Sequence, residues 1–263
     1  MLRALAARLK QGRRTISYPK GEAVLPDRFR GRPEVDFSRC GPECLAGCPA
    51  LLRREDGKPF LDLGRCLFCP DCPPSGASCR HEAVRFTREH RLAAWSREDL
   101  FLGGGPPRRP KERPPEARFA AVRRSLHVRV ISAGGCNACE ADVNVLSTVV
   151  FDLSRFGIAI VASPRHADAL IVIGPVPRNM RLALEKTYRA MPAPRIVIAA
   201  GACAISGGVF AGRDEVLGGA GSVVPVDLFI PGCPPHPLTI LDGLLRVAGR
   251  QDCDRSKETN HDQ

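Results

Sequence analysis

Downstream of about residue 124 the chain alternates between short unbroken apolar runs and longer stretches whose apolar residues recur every third or fourth position. The runs are "SLHVRVIS" (125–132), "GIAIVAS" (157–163), "ADALIVIG" (167–174), "PRIVIAAG" (194–201) and "VPVDLFI" (224–230), all rich in Val and Ile. Runs of this kind predict strands buried on both faces, which is the condition of a parallel sheet. Helical periodicity falls between several of them, over 140–155 and over 178–191 with Leu182, Leu184 and Tyr188, and after the last, over 237–249 with Leu238, Ile240, Leu241, Leu244, Leu245 and Val247. Strands alternating with helices predict an α/β doubly wound domain. Before residue 100 the pattern is lost, and Gly, Pro and Cys dominate. "GGGPPRRPKERPP" (103–115) suits no helix or sheet interior and reads as a basic linker. At the start, Leu2, Leu5 and Leu9 share one side of a helix whose charges are Arg3, Arg8, Lys10, Arg13 and Arg14. This predicts either a solvated terminal helix or a docking one. The expected organisation is therefore 1–102, a docking helix and a cysteine-rich domain; 103–117, a linker; 118–250, the α/β domain; and 251–263, a polar tail.

Composition narrows the classes. A length of 263 residues suits two moderate domains, and a hydrophobic fraction of 44% permits a full core. The net charge of +11 would fit nucleic acid, but the aromatic fraction is 5% and no nucleic-acid-binding motif is present. A surface facing acidic partner subunits or anionic headgroups is the expectation, with no nucleic acid. No run approaches the ~20 apolar residues of a membrane span, and the start lacks the apolar core of a secretory signal. Twelve cysteines without such a signal point to metal rather than disulfides. Seven lie between Cys40 and Cys79, four are Cys136, Cys139, Cys203 and Cys233, and Cys253 stands alone as an incidental thiol.

The group of four follows strand ends. Cys136 and Cys139 come after the first strand in "GGCNACE", Cys203 after the fourth in "AAGACAISGG" and Cys233 after the fifth in "FIPGCPPHP". In an open parallel sheet those loops leave from one carboxyl edge, so cysteines distant in sequence meet there. Gly134, Gly135, Gly201, Gly207, Gly208 and Gly232 flank them and allow backbone to approach a bulky group. Four thiolates so arranged suit zinc or a four-iron (4Fe–4S) cluster. Glu140, just after the first motif, either stabilises a helix start or tunes the site. Arg165 and His166 are a loop pair that lies near the site or is structural.

"CNACE", "GACAISGG" and "PGCPPHP", in this order, resemble the small subunit of nickel–iron hydrogenases. More closely, they resemble the branch shared by membrane-bound, formate-hydrogenlyase-type hydrogenases and the B subunit of respiratory complex I. "RFGIAIVASPRHADALIVIGPV" (155–176) carries the likeness further, so that it covers nearly all of 125–248. The resemblance implies a flavodoxin-like sheet and a proximal 4Fe–4S cluster on Cys136, Cys139, Cys203 and Cys233. Complex I B subunits carry adjacent cysteines in the first motif; the Cys-x-x-Cys here is nearer the hydrogenase side.

"CGPECLAGCP" and "CLFCPDCPPSGASC" echo the bacterial ferredoxin pattern, in which the last cysteine of each run serves the other run's cluster. On that pattern Cys66, Cys69 and Cys72 combine with Cys48, which is followed by Pro49, to hold a 4Fe–4S cluster. The other set is damaged, because Ser38 and Gly41 occupy ligand positions. Cys40, Cys44 and Cys79 are left as three thiols for an incomplete second cluster. The flanking "LKQGRRTISYPKGEAVLPDRFRGRP" and "VRFTREHRLAAWSREDL" resemble the ferredoxin-like subunit of the same complexes, so the chain resembles two neighbouring subunits fused end to end. A small ferredoxin-like α+β iron–sulfur domain is expected in the first part.

The reading is an iron–sulfur electron-transfer subunit of a complex I-like or nickel–iron hydrogenase-type oxidoreductase, peripheral on the cytoplasmic face of the cell membrane. Its partners would be a large catalytic subunit, membrane-arm subunits and other iron–sulfur subunits. Two 4Fe–4S clusters are expected, and a third only if a foreign ligand completes the damaged set. No nickel or flavin is expected in this chain, and no turnover from it alone. The rival is a zinc-stabilised nucleic-acid-binding or scaffold protein.

Overall fold

A computed structural model describes residues 2–40, 47–53, 57–69, 83–103 and 117–250. Residues 104–116 of the expected 103–117 linker, the tail after 250, and Cys44, Cys72, Cys79 and Cys253 lie outside the described residues, while Gly103 and Ala117 belong to the flanking strand and helix. Helix α1 (Leu2–Gln11) forms where the leucine spacing places it. Short strands follow: β1 (Pro33–Val35), β2 (Leu51–Arg53), β3 (Pro59–Asp62), β4 (Val84–Phe86) and β5 (Phe101–Gly103). β1 pairs antiparallel with β4, and β2–β3–β5 form a second antiparallel sheet. After α2 (Ala117–Ala121) come β6 (Leu126–Ser132), α3 (Ala138–Val145), β7 (Ile158–Ile160), β8 (Ala169–Ile173), α4 (Arg181–Ala190), β9 (Ile196–Ala200), α5 (Ala202–Ser206), β10 (Leu228–Ile230) and α6 (Pro237–Val247).

The last five strands are all parallel, in the order β10–β9–β8–β6–β7. Counted from the first strand of this sheet, the order read from the β7 edge is 2-1-3-4-5, the flavodoxin-like arrangement. Every residue of β8 and β9 is buried, as unbroken Val/Ile runs require. Alternate residues serve opposite faces: Ile171, Ile173, Ile196 and Ile198 pack with Leu238, Ile240, Leu241 and Leu244 of α6, while Leu170, Val172, Val197 and Ala199 pack with Leu184 of α4 and Ile205 of α5. Three segments are clearly shorter than the pattern predicts, and the first is β7, which keeps only Ile158–Ile160 of 157–163. Helix α3 stops at Val145, because Ser147, Thr148, Val149 and Val150 supply β-branched and backbone-competing side chains; a 3-10 turn follows at Leu153–Phe156. Strand β10 begins only at Leu228, after Pro225.

The N-terminal residues are packed onto this sheet. Tyr18, Leu25 and Ala93 join the apolar layer under α6. Ala50, Leu51, Leu61, Leu63, Phe68, Leu92 and Leu100 join the layer on the other face. Ala94 exchanges two backbone hydrogen bonds with Phe229, at 2.9 and 2.8 Å, and so covers part of the β10 edge. Beneath it, Asp242 and Arg246 of α6 form a buried ion pair at 2.9 Å. The Tyr18 hydroxyl donates to Asp242 Oδ1 at 2.9 Å, and an Arg246 Nη1–H donates to the Ala93 carbonyl at 2.6 Å.

His90 stacks edge-on against Tyr18 near this pair. Burial holds both His90 and His236 below the ordinary imidazole value of 6.5, although Asp242 and Glu89 pull His90 the other way. Both rings hold fewer protons folded than unfolded, so folding stability is lost as pH falls below about 6.5. The urea midpoint of the protein is expected to be lower at about pH 5.5 than at about pH 7.5, with the difference reduced in His90→Phe. Equal midpoints at both pH values would refute this.

Candidate functional site

The carboxyl edge of the five-stranded sheet gathers the predicted cysteines. β6 ends in Ser132, and Asn137, in left-handed backbone (φ 69°), turns the chain into α3 so that Cys136 precedes the helix and Cys139 lies in its first turn. β9 runs through Gly201 into α5, which carries Cys203. β10 runs through Pro231 and Gly232 to Cys233. Two glycines show how closely the sulfurs approach. A Cβ on Gly201 (φ +93°) would lie 2.8 Å from Cys139 Sγ, and one on Gly208 (φ +57°) would lie 2.6 Å from Cys203 Sγ. Cys139, from the first strand's loop, thus reaches over the end of the fourth strand.

The four thiols sense one another. Burial pushes the Cys139 thiol up to about 12, reinforced by Cys203, Cys233 and Cys136, and by the carboxylate of Glu140. Cys233 is pushed up to about 11 by burial, then by Cys203 and Cys136. Cys203 is raised by burial and Cys136, while the Val209 backbone N–H pulls the other way. Four thiolates could not share this edge uncompensated; a cation among them removes the penalty. Glu140 occupies the first turn of α3, where its Oε1 accepts a hydrogen bond from Ser132 Oγ and its buried Oε2 has no hydrogen-bond partner among the described residues. Cys136 and Cys233 are exposed, and so are Val209 and Phe210 beside Cys203, which leaves this side of the site open and apolar. Arg165 and His166 lie exposed in a 3-10 turn after β7.

A second group faces the first. Cys48 and Cys66 are buried and Cys69 is half-buried. Burial pushes Cys66 up to about 12, against a hydrogen bond of 3.4 Å from the Phe68 N–H to its sulfur, with Cys48, Cys69 and Asp62 adding to the rise. Asp62 accepts two hydrogen bonds from Arg97, at 2.6 and 2.5 Å, and one from the Gly64 N–H at 2.9 Å, which fixes the loop leading to Cys66. Cys40 is half-buried and packs against the same apolar layer as Cys48 and Cys66.

The sequence gives no sign that these groups adjoin. Ser206 of α5 donates to the Gly64 carbonyl at 2.9 Å, tying the Cys66 loop to the Cys203 helix. Cys69 lies close enough to Cys233 to raise it. Between them opens a cleft of about 280 Å³ lined by Arg30, Phe68, Asp142, Cys233 and His236. Arg30 donates to the Phe68 carbonyl at 2.9 Å and pulls Cys69 down, against burial and Cys48. Among the described residues, no three His, Cys, Asp or Glu side chains converge on a point that would hold a single metal ion. The donor set, all thiols at strand ends with glycine-cleared approaches and N–H groups on the sulfurs, fits a group larger than one ion.

The family model described as NADH ubiquinone oxidoreductase, 20 Kd subunit, matches residues 136–247. An uncharacterized protein of Methanocaldococcus jannaschii is 42% identical over 51% of this chain and 90% of its own length. Formate hydrogenlyase subunit 7 of Escherichia coli is 44% identical, over 49% of this chain and 50% of that protein. The probable membrane-bound hydrogenase subunit mbhJ of Pyrococcus furiosus is 40% identical, over 47% of this chain and 74% of that one.

Proposed function

Because the chain belongs to the NADH ubiquinone oxidoreductase 20 Kd subunit family, we propose that it is the iron–sulfur electron-transfer subunit of a membrane-associated oxidoreductase complex. The complex is of the complex I-like or nickel–iron hydrogenase type. The observation that carries this reading is the convergence of Cys136, Cys139, Cys203 and Cys233 at one sheet edge, with Gly201 and Gly208 clearing space against two of the sulfurs. These four thiolates would hold the proximal 4Fe–4S cluster, which when bound supplies a site for reversible one-electron reduction. The Val209 N–H favours negative charge on Cys203 Sγ, and Glu140 opposes it. Cys48, Cys66, Cys69 and Cys72 would hold a second cluster, with the Asp62–Arg97 pair positioning the Cys66 loop. Cys40, Cys44 and Cys79 form the incomplete set, so two clusters are proposed, and neither nickel nor flavin.

Val209, Phe210 and the exposed edges of Cys136 and Cys233 form the face on which a large catalytic subunit would seat. Membrane-arm and other iron–sulfur subunits complete the assembly, and the cytoplasmic face is its place. Among the described residues no helix is long and apolar enough to cross a membrane, and attachment is proposed to be peripheral.

Anaerobically purified full-length protein is expected to be brown, to carry about eight irons per chain and to show two reduced-state EPR signals. About twelve irons with three signals would show that the displaced Cys40 and Cys79 are accommodated. Colourless, iron-free protein containing zinc would overturn the proposal in favour of the scaffold reading.

A further inference from the structure

The strongest feature that the redox site does not use is helix α1. Every described side chain of α1 is exposed, including Leu5 at 64% and Leu9 at 78%, so among the described residues nothing covers the helix. It is nonetheless rooted. Thr15 Oγ1 donates to the Val149 carbonyl at 2.9 Å, and the Ile16 N–H donates to the Val150 carbonyl at 3.0 Å. Arg155 reaches back to the Ile16 and Tyr18 carbonyls at 2.7 and 2.9 Å. Val149 and Val150, where the chain is fastened, are themselves exposed at 61% and 41%. Two leucines on a free helix and two valines at its root thus leave apolar surface at one corner of the molecule, where ordinary folding would have covered it.

The charge around this corner has one sign. From residue 2 to residue 21 there are six basic residues, Arg3, Arg8, Lys10, Arg13, Arg14 and Lys20, and no acidic one. At 3.6 residues per turn, Arg8 and Lys10 lie about 100° to either side of Leu9, so cations border the leucine stripe on both flanks. Their alkyl stems can lie along an apolar surface while the charged ends stay in water. The apolar stripe, Leu2, Leu5, Ala6 and Leu9, spans little more than two turns, and the cations beside it have no acidic counterpart before Glu22, which matches a partner of fixed negative charge. A shallow interface with fixed negative charge needs only a short stripe flanked by cations.

We propose that α1 and its root at Val149–Val150 form a contact with the surface of an anionic lipid bilayer, the helix lying in the headgroup plane with Leu5 and Leu9 inward. This deepens the peripheral attachment proposed above and does not depend on which cysteines hold iron. The rooting bonds to Val149, Val150 and Arg155 would hold the sheet domain close to the membrane, because Thr15 and Ile16 follow the helix with only three residues between.

The test is co-sedimentation of the full-length protein with vesicles of phosphatidylcholine, or of phosphatidylcholine with about one third phosphatidylglycerol, at about 50 mM and about 500 mM salt. Binding to the anionic vesicles at low salt is expected, weakened at least about tenfold by high salt and by removal of the anionic lipid. Leu5→Glu with Leu9→Glu should abolish it while leaving iron content and urea midpoint unchanged, since both side chains are exposed. Equal binding to neutral vesicles, no binding to either, or undiminished binding by the double variant would each overturn the proposal. A protein with its full iron content that ignores vesicles would remove the lipid contact and leave the redox reading standing.

Discussion

Cys203→Ser in the full-length protein is expected to cost about four irons per chain, or to leave a three-iron form, and to remove one of two reduced-state EPR signals. A serine hydroxyl is a far poorer iron ligand than a thiolate, and at this position the loss is compounded. Cys203 Sγ lies against Gly208, where an added Cβ would come within 2.6 Å of it, and the Val209 N–H favours its charged form. Cys233→Ser should act alike, through the loop after β10. Cys253→Ser, outside both groups, should retain all iron. Should Cys203→Ser and Cys233→Ser both keep the parent's iron and EPR signals, the proximal assignment is wrong. The second signal is the internal control, because Cys48, Cys66 and Cys69 reach their places through different loops.

The largest stability effect is expected at Asp242→Ala. Asp242 and Arg246 are 1% and 4% exposed, so the guanidinium left behind cannot recover its hydration. Breaking a buried pair by deleting one partner costs about 3–5 kcal/mol. The Tyr18 hydroxyl also loses its 2.9 Å acceptor, a further penalty of about 1–3 kcal/mol that overlaps with the first. Against a total stability of order 5–15 kcal/mol, the variant should be largely unfolded or strongly shifted in urea. Asp242→Asn, which keeps an acceptor for Tyr18, should lose less. A midpoint change worth under about 1 kcal/mol for Asp242→Ala would mean that the pair is solvated in solution.

The sheet was legible in the sequence because its strands are buried on both faces and leave nothing but apolar residues to read. The four cysteines at its edge were legible for the same reason: once the strands are placed, the loops after them can leave only from one side. Helix α3 was over-extended because the apolar spacing continues through Val149 and Val150, although the β-branched run there no longer favours helix. Helix α5, five residues around Cys203, was not visible at all, since Gly201 and Gly207 at its ends hide so short a period. Least legible were the contacts between the two parts of the chain. Ala94 on Phe229, Tyr18 on Asp242 and Ser206 on Gly64 join residues more than 130 positions apart, and no local pattern announces them. The neighbourhood of Cys69 and Cys233 depends on these contacts and was invisible for that reason.

The Ala94–Phe229 bridge and the Tyr18–Asp242 and Ala93–Arg246 bonds also impose an order of events. Residues 18, 93 and 94 leave the ribosome early, but what they bind lies at 229, 242 and 246, near the end of the described chain. The first third cannot settle until the last strand and helix have been made. Such high sequence separation slows folding and prolongs exposure of unpaired strands, which is the period of greatest risk for misassembly. A chain cut short before α6 would keep its N-terminal cysteines without the surface that orders the segments around them. Synthesis must therefore run through α6 before either cysteine group has its final surroundings.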